Sequence, residues 1–467
     1  MKNLIYIIVI LTIIFLFGSM FVGCKEDEKP IQYGPEDIPG VLIMNDGTDI
    51  TTAAQWADRR AEISKIMLDN SYGQWRSGET VTYEISENSF GKILTAKVSN
   101  NGINVSFNAS VELPTGTPQA GGWPVIMAFS YLDGEDFMSK SKGNPHQYAA
   151  DKGYAIINLP TAGDIDWDTF QTTDKNVVAS DDNAHKGAFY TLYPYGSTPE
   201  SQTGVLMAWA WGASKMLDAL EAGAAEEFNI NANNTIITGT SRNGKAAAVA
   251  GAFEERFKIT VPASSGAGGT AIYRYKSAGQ TYDLGGYFSY NNGGSWTVDG
   301  DNPQSLGSIQ NDSGGGWFNA KFKTFSKPEN LPFDQHYLLA LCADTERYLF
   351  MVNGFEWDKW TNPPGAFYAF ELTKPVFDLL GVPENIAVSM HRYRHGLEQE
   401  DMVKLIKYAN NVFYGIKDLT FDYAETGKPK PSTWETFIDD LHKTPFSKPV
   451  SSRNNATYEK GKPRKAE

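Results

Sequence analysis

Ser241 lies in "GTSRNGKAAAVAGAF", directly after the apolar run "TIIT" and before an Ala-rich stretch of helical composition. A Ser at a sharp turn from a buried strand into a helix has its Oγ lifted clear of the sheet. The helix N-terminus then supplies N–H groups and positive potential for a developing oxyanion. Such a turn needs small neighbours, and Gly239, Gly244 and Ala246 to Ala248 provide them. The spacing is G-x-S-x-x-G rather than the commoner G-x-S-x-G. Taken alone, it leaves Ser241 either a nucleophile or a small residue in a tight bend. A nucleophile demands a base and an acid elsewhere in the chain.

Six His residues are available: His146, His185, His336, His391, His395 and His442. In α/β-hydrolases the chain order is Ser, then acid, then His, with the His on a loop after the last core strand. His395 in "SMHRYRHGLEQED" holds that place, followed by Gly and a helix. His391 falls at the strand end, and His336 in "LPFDQHYLLAL" precedes a helix-like run; both read as structural. The acid belongs on the loop after the preceding strand, "NGFEWDKWTNPPGAF", which offers Glu356 and Asp358. A buried carboxylate there would orient the imidazole and stabilise its cation. The alternative for either residue is a solvated loop charge.

These groups need a scaffold of strands whose ends line up. "WPVIMAF", "GYAIINLP", "NTIITG", "KITVPA", "RYLFMVNG" and "NIAVSMH" are short apolar runs bounded by turn residues, which predicts buried parallel strands. Helical patterns alternate with them: "TGVLMAWAWGASKMLDALEAG", closing at Gly223, "GAFYAFELTKPVFDLLG" and "EQEDMVKLIKYANNVFYG". The class is therefore α/β, with a mostly parallel central sheet and helices on both faces, a three-layer sandwich. Ahead of it, "AAQWADRRAEISKIML" predicts a helix starting at Thr51 or Thr52. "TVTYEI" and "INVSFNASVEL" predict strands of an antiparallel edge. Residues 273–332 break the rhythm with Gly, Asn and aromatics, as a lid or binding rim does. "DIDWD" (Asp164 to Asp168) lacks the Gly and terminal Glu of a calcium loop and reads as a solvated loop. "GAGG" lacks a dinucleotide fingerprint. No metal or cofactor is implied.

With 467 residues, 41% hydrophobic and 13% aromatic, the chain suits one large, well-packed domain. A formal charge of −14 without a basic tract argues against nucleic acid as a partner. At the N-terminus one early Lys precedes an apolar run from Leu4 to Phe17 and small residues ending in Gly23-Cys24, the pattern of a secretory signal. Cys24 resembles the lipidated Cys of a bacterial lipobox, and the "KEDEK" after it resembles the surface-export signal of Bacteroidota lipoproteins. The expected organisation is a signal over 1–23, a tether over 24–45, a catalytic domain over 46–450 with the 273–332 insertion, and a polar tail over 451–467. Only Cys24 and Cys342 exist, so no disulfide framework is possible once Cys24 is lipidated, and Cys342 in "YLLALCA" reads as an inert buried thiol. The expected product is a monomer, lipid-anchored at the bacterial outer membrane or cell surface.

"GTSRNGK", "VPASSGAGGTAIYR", "WFNAKF", "LPFDQHYLLAL" and "RHGLEQED" together resemble the glucuronoyl esterases, carbohydrate esterase family fifteen. "DDNAHKGAFYTLYPYG" and "GVLMAWAWGASKMLDALE" resemble that family too, so the likeness runs from about Trp56 to Gly415. It implies an α/β-hydrolase fold and metal-free cleavage of esters between glucuronic acid branches of xylan and lignin alcohols. It implies Ser241 as nucleophile, His395 as base, and Arg242 at the oxyanion through its N–H and guanidinium. Lys245 would bind sugar hydroxyls, Trp360 would pack by the uronate, and Gln310 would add a polar contact. One departure stands out. Many members carry a Glu in P-x-E-S-G-x-G-G as the triad acid, and here "PASSGAGG" puts Ser264 in its place. Either Asp358 takes the role, favoured over Glu356 by its spacing to Trp360, or the enzyme is crippled. The rivals are another carbohydrate esterase, such as an acetyl-xylan esterase, and a decayed hydrolase serving as a surface glycan-binding lipoprotein.

Overall fold

Alternating runs along an antiparallel edge and continuous apolar runs in the parallel part form nine strands in one sheet. They are β1 (Thr80–Asn88), β2 (Gly91–Asn100), β3 (Ile103–Glu112), β4 (Trp123–Ser130), β5 (Ala155–Pro160), β6 (Ile230–Thr240), β7 (Ile259–Ala263), β8 (Tyr348–Gly354) and β9 (Ile386–His391). The computed structural model describes residues 38–88, 91–130, 145–161, 164–166, 171–173, 177–275, 277, 281–283, 295–297, 303–355, 358–392, 395–420, 431–443 and 449–451. The signal segment, Cys24, most of the tether, Glu356 and the 452–467 tail lie outside the described residues. Strand order is β1-β2-β3-β5-β4-β6-β7-β8-β9. The first four in that order pair antiparallel, and every pairing from β5 onward is parallel.

Successive residues of a strand face opposite sides of a sheet, and here both sides are buried. Ile237 of β6 and Met351 of β8 face one core; Ile236 and Phe350 face the other. Against the first pack α1 (Ala53–Met67), α3 (Val205–Ala219), α4 (Arg242–Phe253) and α5 (Pro363–Leu379). Against the second pack α2 (Pro145–Asp151), α6 (Gln399–Tyr414) and α7 (Trp434–Leu441). The result is the three-layer α/β-hydrolase arrangement that the alternation of strands and helices predicts.

Local signals agree with element ends. Thr52 caps α1, accepting from the Gln55 N–H while the Gln55 side chain returns to the cap backbone. Gly415, at φ 68°, ends α6. Gly223, at φ 134°, breaks the helical path after α3 as expected, though Ala225–Phe228 adds one further turn. Two expectations need correction. "GKILTAKVSN", passed over between the two predicted edge strands, is β2 and pairs with both of them. Asp164–Asp166, expected as loop, is a short strand antiparallel to Gln171–Thr173; Trp167 and Asp168 of "DIDWD" lie outside the described residues. Cys342 is fully buried, and burial pushes its thiol pKa up, as an inert core thiol requires.

The part of this fold that positions chemistry is the contact between α4 and the carboxyl ends of β6 and β7. A Cβ at Gly239 would lie 2.5 Å from Asn243 O, and one at Gly244 would lie 2.5 Å from Ala263 O. Both are backbone clashes that cannot be relieved by turning a side chain. Gly244→Ala should therefore lower the unfolding free energy by about 2 kcal/mol in urea titration, despite Ala's better helix propensity.

Candidate active site

The chain leaves β6 at Thr240, turns at Ser241 with φ 62° and ψ −123°, and enters α4 at Arg242. A non-Gly residue at this φ is strained, and such strain collects where a side chain must be aimed. The Ser241 N–H donates to Ala263 O at 3.0 Å, which ties the turn to β7. The first helical bond of α4 runs from Lys245 N to Ser241 O at 3.0 Å, so the amides before it lack intrahelical partners. Ser241 thus sits at the positive end of a twelve-residue helix.

His395 is on the loop between β9 and α6. Its Nδ1 lies 2.7 Å from Asp358 Oδ1, and Asp358 is fully buried. Asp358 follows β8, opening a short helical turn over Lys359–Thr361. The loop root abuts the Ser241 turn: a Cβ on Gly396 would meet Thr240 Cγ2 at 3.1 Å. Three separate strand ends thereby bring Ser241, Asp358 and His395 to one edge of the sheet. Trp360 stands over the imidazole, with ring centroids 4.6 Å apart and 36% of its surface exposed.

The His395 loop is closed at both ends by Asp401. Its carboxylate pairs with His391 Nδ1 at 2.8 Å, accepts from Ser389 Oγ at 2.6 Å, and accepts the Glu398 N–H at 2.9 Å. His391 is thus structural, joining the end of β9 to the start of α6. Burial alone would push its imidazole down, but the Asp401 carboxylate beside it raises the pKa to about 9. His336 is structural as well: Nε2 meets Pro39 O at 2.8 Å, and burial pushes its pKa down to about 3.

A cationic wall lies on the α4 side. Arg242 pairs with Asp181, whose other oxygen accepts from Trp317 Nε1 at 2.7 Å. The Trp317 ring carries two cations, Arg242 Cζ at 5.7 Å and Lys245 Nζ at 5.6 Å from its centroid. Lys245 Nζ donates to Ser265 O and, at 3.2 Å, to Gln304 Oε1. Burial pushes this ammonium down to about 7, with Asp312 opposing, Arg242 adding to the shift, and Asp358 opposing. Gln304 also donates its N–H to Trp360 O at 2.7 Å, joining the 303–332 segment to the Asp358 loop. Gln310, the glutamine expected here, uses its amide on Phe322 O at 2.7 Å and Phe325 O at 2.9 Å. It holds its own segment together, and Gln304 is the one that reaches Lys245. Asp181, Trp317 and Gln304 were not singled out in the sequence, although "DDNAHKG" and "WFNAKF" contain the first two.

A strained Ser between a parallel strand and a helix, with an Asp–His pair at the neighbouring strand ends, defines an α/β-hydrolase site. The family described as "Glucuronyl esterase, fungi" matches residues 96–381. A carbohydrate esterase family 15 glucuronoyl esterase from Caldicellulosiruptor kristjansonii superimposes with a TM-score of 0.70 at 35% identity, over 85% of this chain and 97% of that one. The chain belongs to the glucuronoyl esterases of carbohydrate esterase family 15. A multidomain esterase of Ruminococcus flavefaciens is 40% identical over 82% of this chain, and the match spans about half, 47%, of that protein. A 4-O-methyl-glucuronoyl methylesterase of Schizophyllum commune is 29% identical over 79% of this chain and 77% of its own length.

The raised His391 pKa has a consequence for stability. A group held above its free value of 6.5 contributes fully below that pH and loses its contribution as pH climbs through about 9. Urea unfolding between about pH 6 and about pH 10 should show stability falling across this window. The His391→Asn variant should lack that part of the slope.

Proposed function

We propose that this chain is a serine carboxylic-ester hydrolase acting on glucuronoyl and 4-O-methyl-glucuronoyl esters, the lignin–carbohydrate links of glucuronoxylan. The observation that carries this is the buried Asp358 carboxylate 2.7 Å from His395 Nδ1, at the sheet edge where Ser241 turns. The names of the family's members supply the substrate class.

In this reading Asp358 accepts the Nδ1–H of His395 and leaves Nε2 as the base. His395 takes the proton of Ser241 as Oγ attacks the uronoyl carbonyl. The developing oxyanion meets the N-terminal amides of α4 and the guanidinium of Arg242, which Asp181 and Trp317 hold in place. His395 then protonates the departing alcohol, and water, activated by the same imidazole, releases the uronate from Ser241. Lys245 and Gln304 offer hydrogen bonds to sugar hydroxyls, and the exposed Trp360 offers a face for the pyranose ring. Cys24, in its lipobox-like context, anchors the enzyme by lipid at the outer surface of the cell, where a polymeric substrate is met.

Ser241→Ala should abolish alcohol release from a methyl glucuronate ester while leaving the circular dichroism spectrum unchanged. Asp358→Asn should cut kcat by roughly the 10⁴-fold seen for that change in the serine-protease template. Cleavage of acetylated xylan with no turnover of uronate esters would overturn the substrate class. Binding of glucuronoxylan without turnover of any ester would overturn the enzyme. Cys24→Ser should move the protein from the membrane to the soluble fraction of cells that express it; persistence in the membrane would contradict the anchor.

A further inference from the structure

Ser264 follows β7 directly, is fully buried, and sits at φ 42°, a region that Gly or Asn adopts at less cost. Its N–H donates to Val352 O at 2.8 Å, extending the β7–β8 pairing by one residue. Its Oγ accepts the Gly396 N–H at 3.1 Å and the Gly354 N–H at 3.4 Å, and can return its own proton to Gly396 O at 3.4 Å. Gly396 is the residue after His395. Gly354 is the last residue of β8, where the chain departs toward Asp358. One hydroxyl therefore holds the roots of both loops that meet in the His395–Asp358 bond.

The energetics point the same way. Gly396 is buried, so removal of the Oγ leaves its N–H without that acceptor, a costly state for a buried donor. Backbone strain at position 264 runs against Ser and in favour of Gly. Ser stands where the backbone prefers Gly, and its hydroxyl contacts the loop that carries His395.

We propose that Ser264 is a positioning residue for ester hydrolysis. Its hydroxyl fixes the separation and orientation of His395 and Asp358 through their backbones, without touching substrate. The departure that looks like a lost carboxylate in sequence is thus a hydrogen-bonded brace, and the negative charge comes from Asp358. This rests on the reading of Ser241, His395 and Asp358 as the triad.

The test uses Ser264→Gly and Ser264→Ala in the full chain. Gly accepts φ 42° without strain, so it serves if the Ala variant does not fold. Both variants should lose about tenfold or more in kcat on a methyl glucuronate ester, with KM little changed. Proton NMR, which needs no turnover, should show the low-field imidazole proton of the His395–Asp358 bond broadened or moved upfield. Wild-type kcat together with an unchanged low-field proton in Ser264→Gly would overturn the proposal. If Ser241→Ala is inactive at the same time, the triad reading survives and only the brace fails. If Ser241→Ala remains active, the triad reading fails and the brace falls with it.

Discussion

The carbonyl of Ala263, at the end of β7, is where the site begins. It accepts the Ser241 N–H at 3.0 Å, and it lies 2.5 Å from where a Cβ of Gly244 would stand. One backbone group thus fixes the Ser241 turn and dictates a Gly in the first turn of α4. The next residue, Ser264, takes its own strained backbone and braces the His395 loop. Two residues with positive φ, Ser241 and Ser264, lie on either side of this contact. Each non-Gly residue held there costs of order 1–3 kcal/mol, which the surrounding sheet must offset.

Around this contact the charges are arranged in two groups. Asp358 and His395 lie toward β8 and β9, and Arg242 and Lys245 lie along α4. Trp317 and Asp181 hold the cations in place from loops outside the sheet. A fixed cation near a buried ester is worth more than the same charge in water, because few solvent dipoles screen it. The low Lys245 pKa is the cost of that burial, since an ammonium taken out of water is disfavoured.

Much of this was legible in the sequence, for identifiable reasons. The six parallel strands show as apolar runs because both faces of such a sheet are buried. The turn at Ser241 shows because close backbone approach leaves Gly and Ala behind. His395 follows from chain order, which also narrows the acid to Glu356 or Asp358; the family resemblance, through the spacing to Trp360, favours Asp358. The residues that were missed have no such local signature. Gln304, Asp181 and Trp317 reach the site only through the packing of long loops, and nothing in their neighbours' periodicity marks them. Gln310 and Gln304 are six positions apart in one Gly- and Ser-rich segment, where spacing does not tell which side chain turns inward. β2 has a weak sequence signal because Lys92, Thr95 and Lys97 interrupt its apolar residues along a half-solvated edge. In the sequence Ser264 shows only as a missing charge, because a sequence shows what a residue lacks more readily than which amides it binds.

As the proposed nucleophile, Ser241 must carry the acyl group during turnover. The direct measurement is rapid-quench intact mass spectrometry of the full chain mixed with a methyl glucuronate ester, followed by peptide mapping. A transient mass gain of one glucuronoyl group on the peptide containing Ser241 is expected. Steady release of alcohol with no adduct at any quench time in an enzyme slowed by low temperature, or an adduct on another peptide, would contradict it.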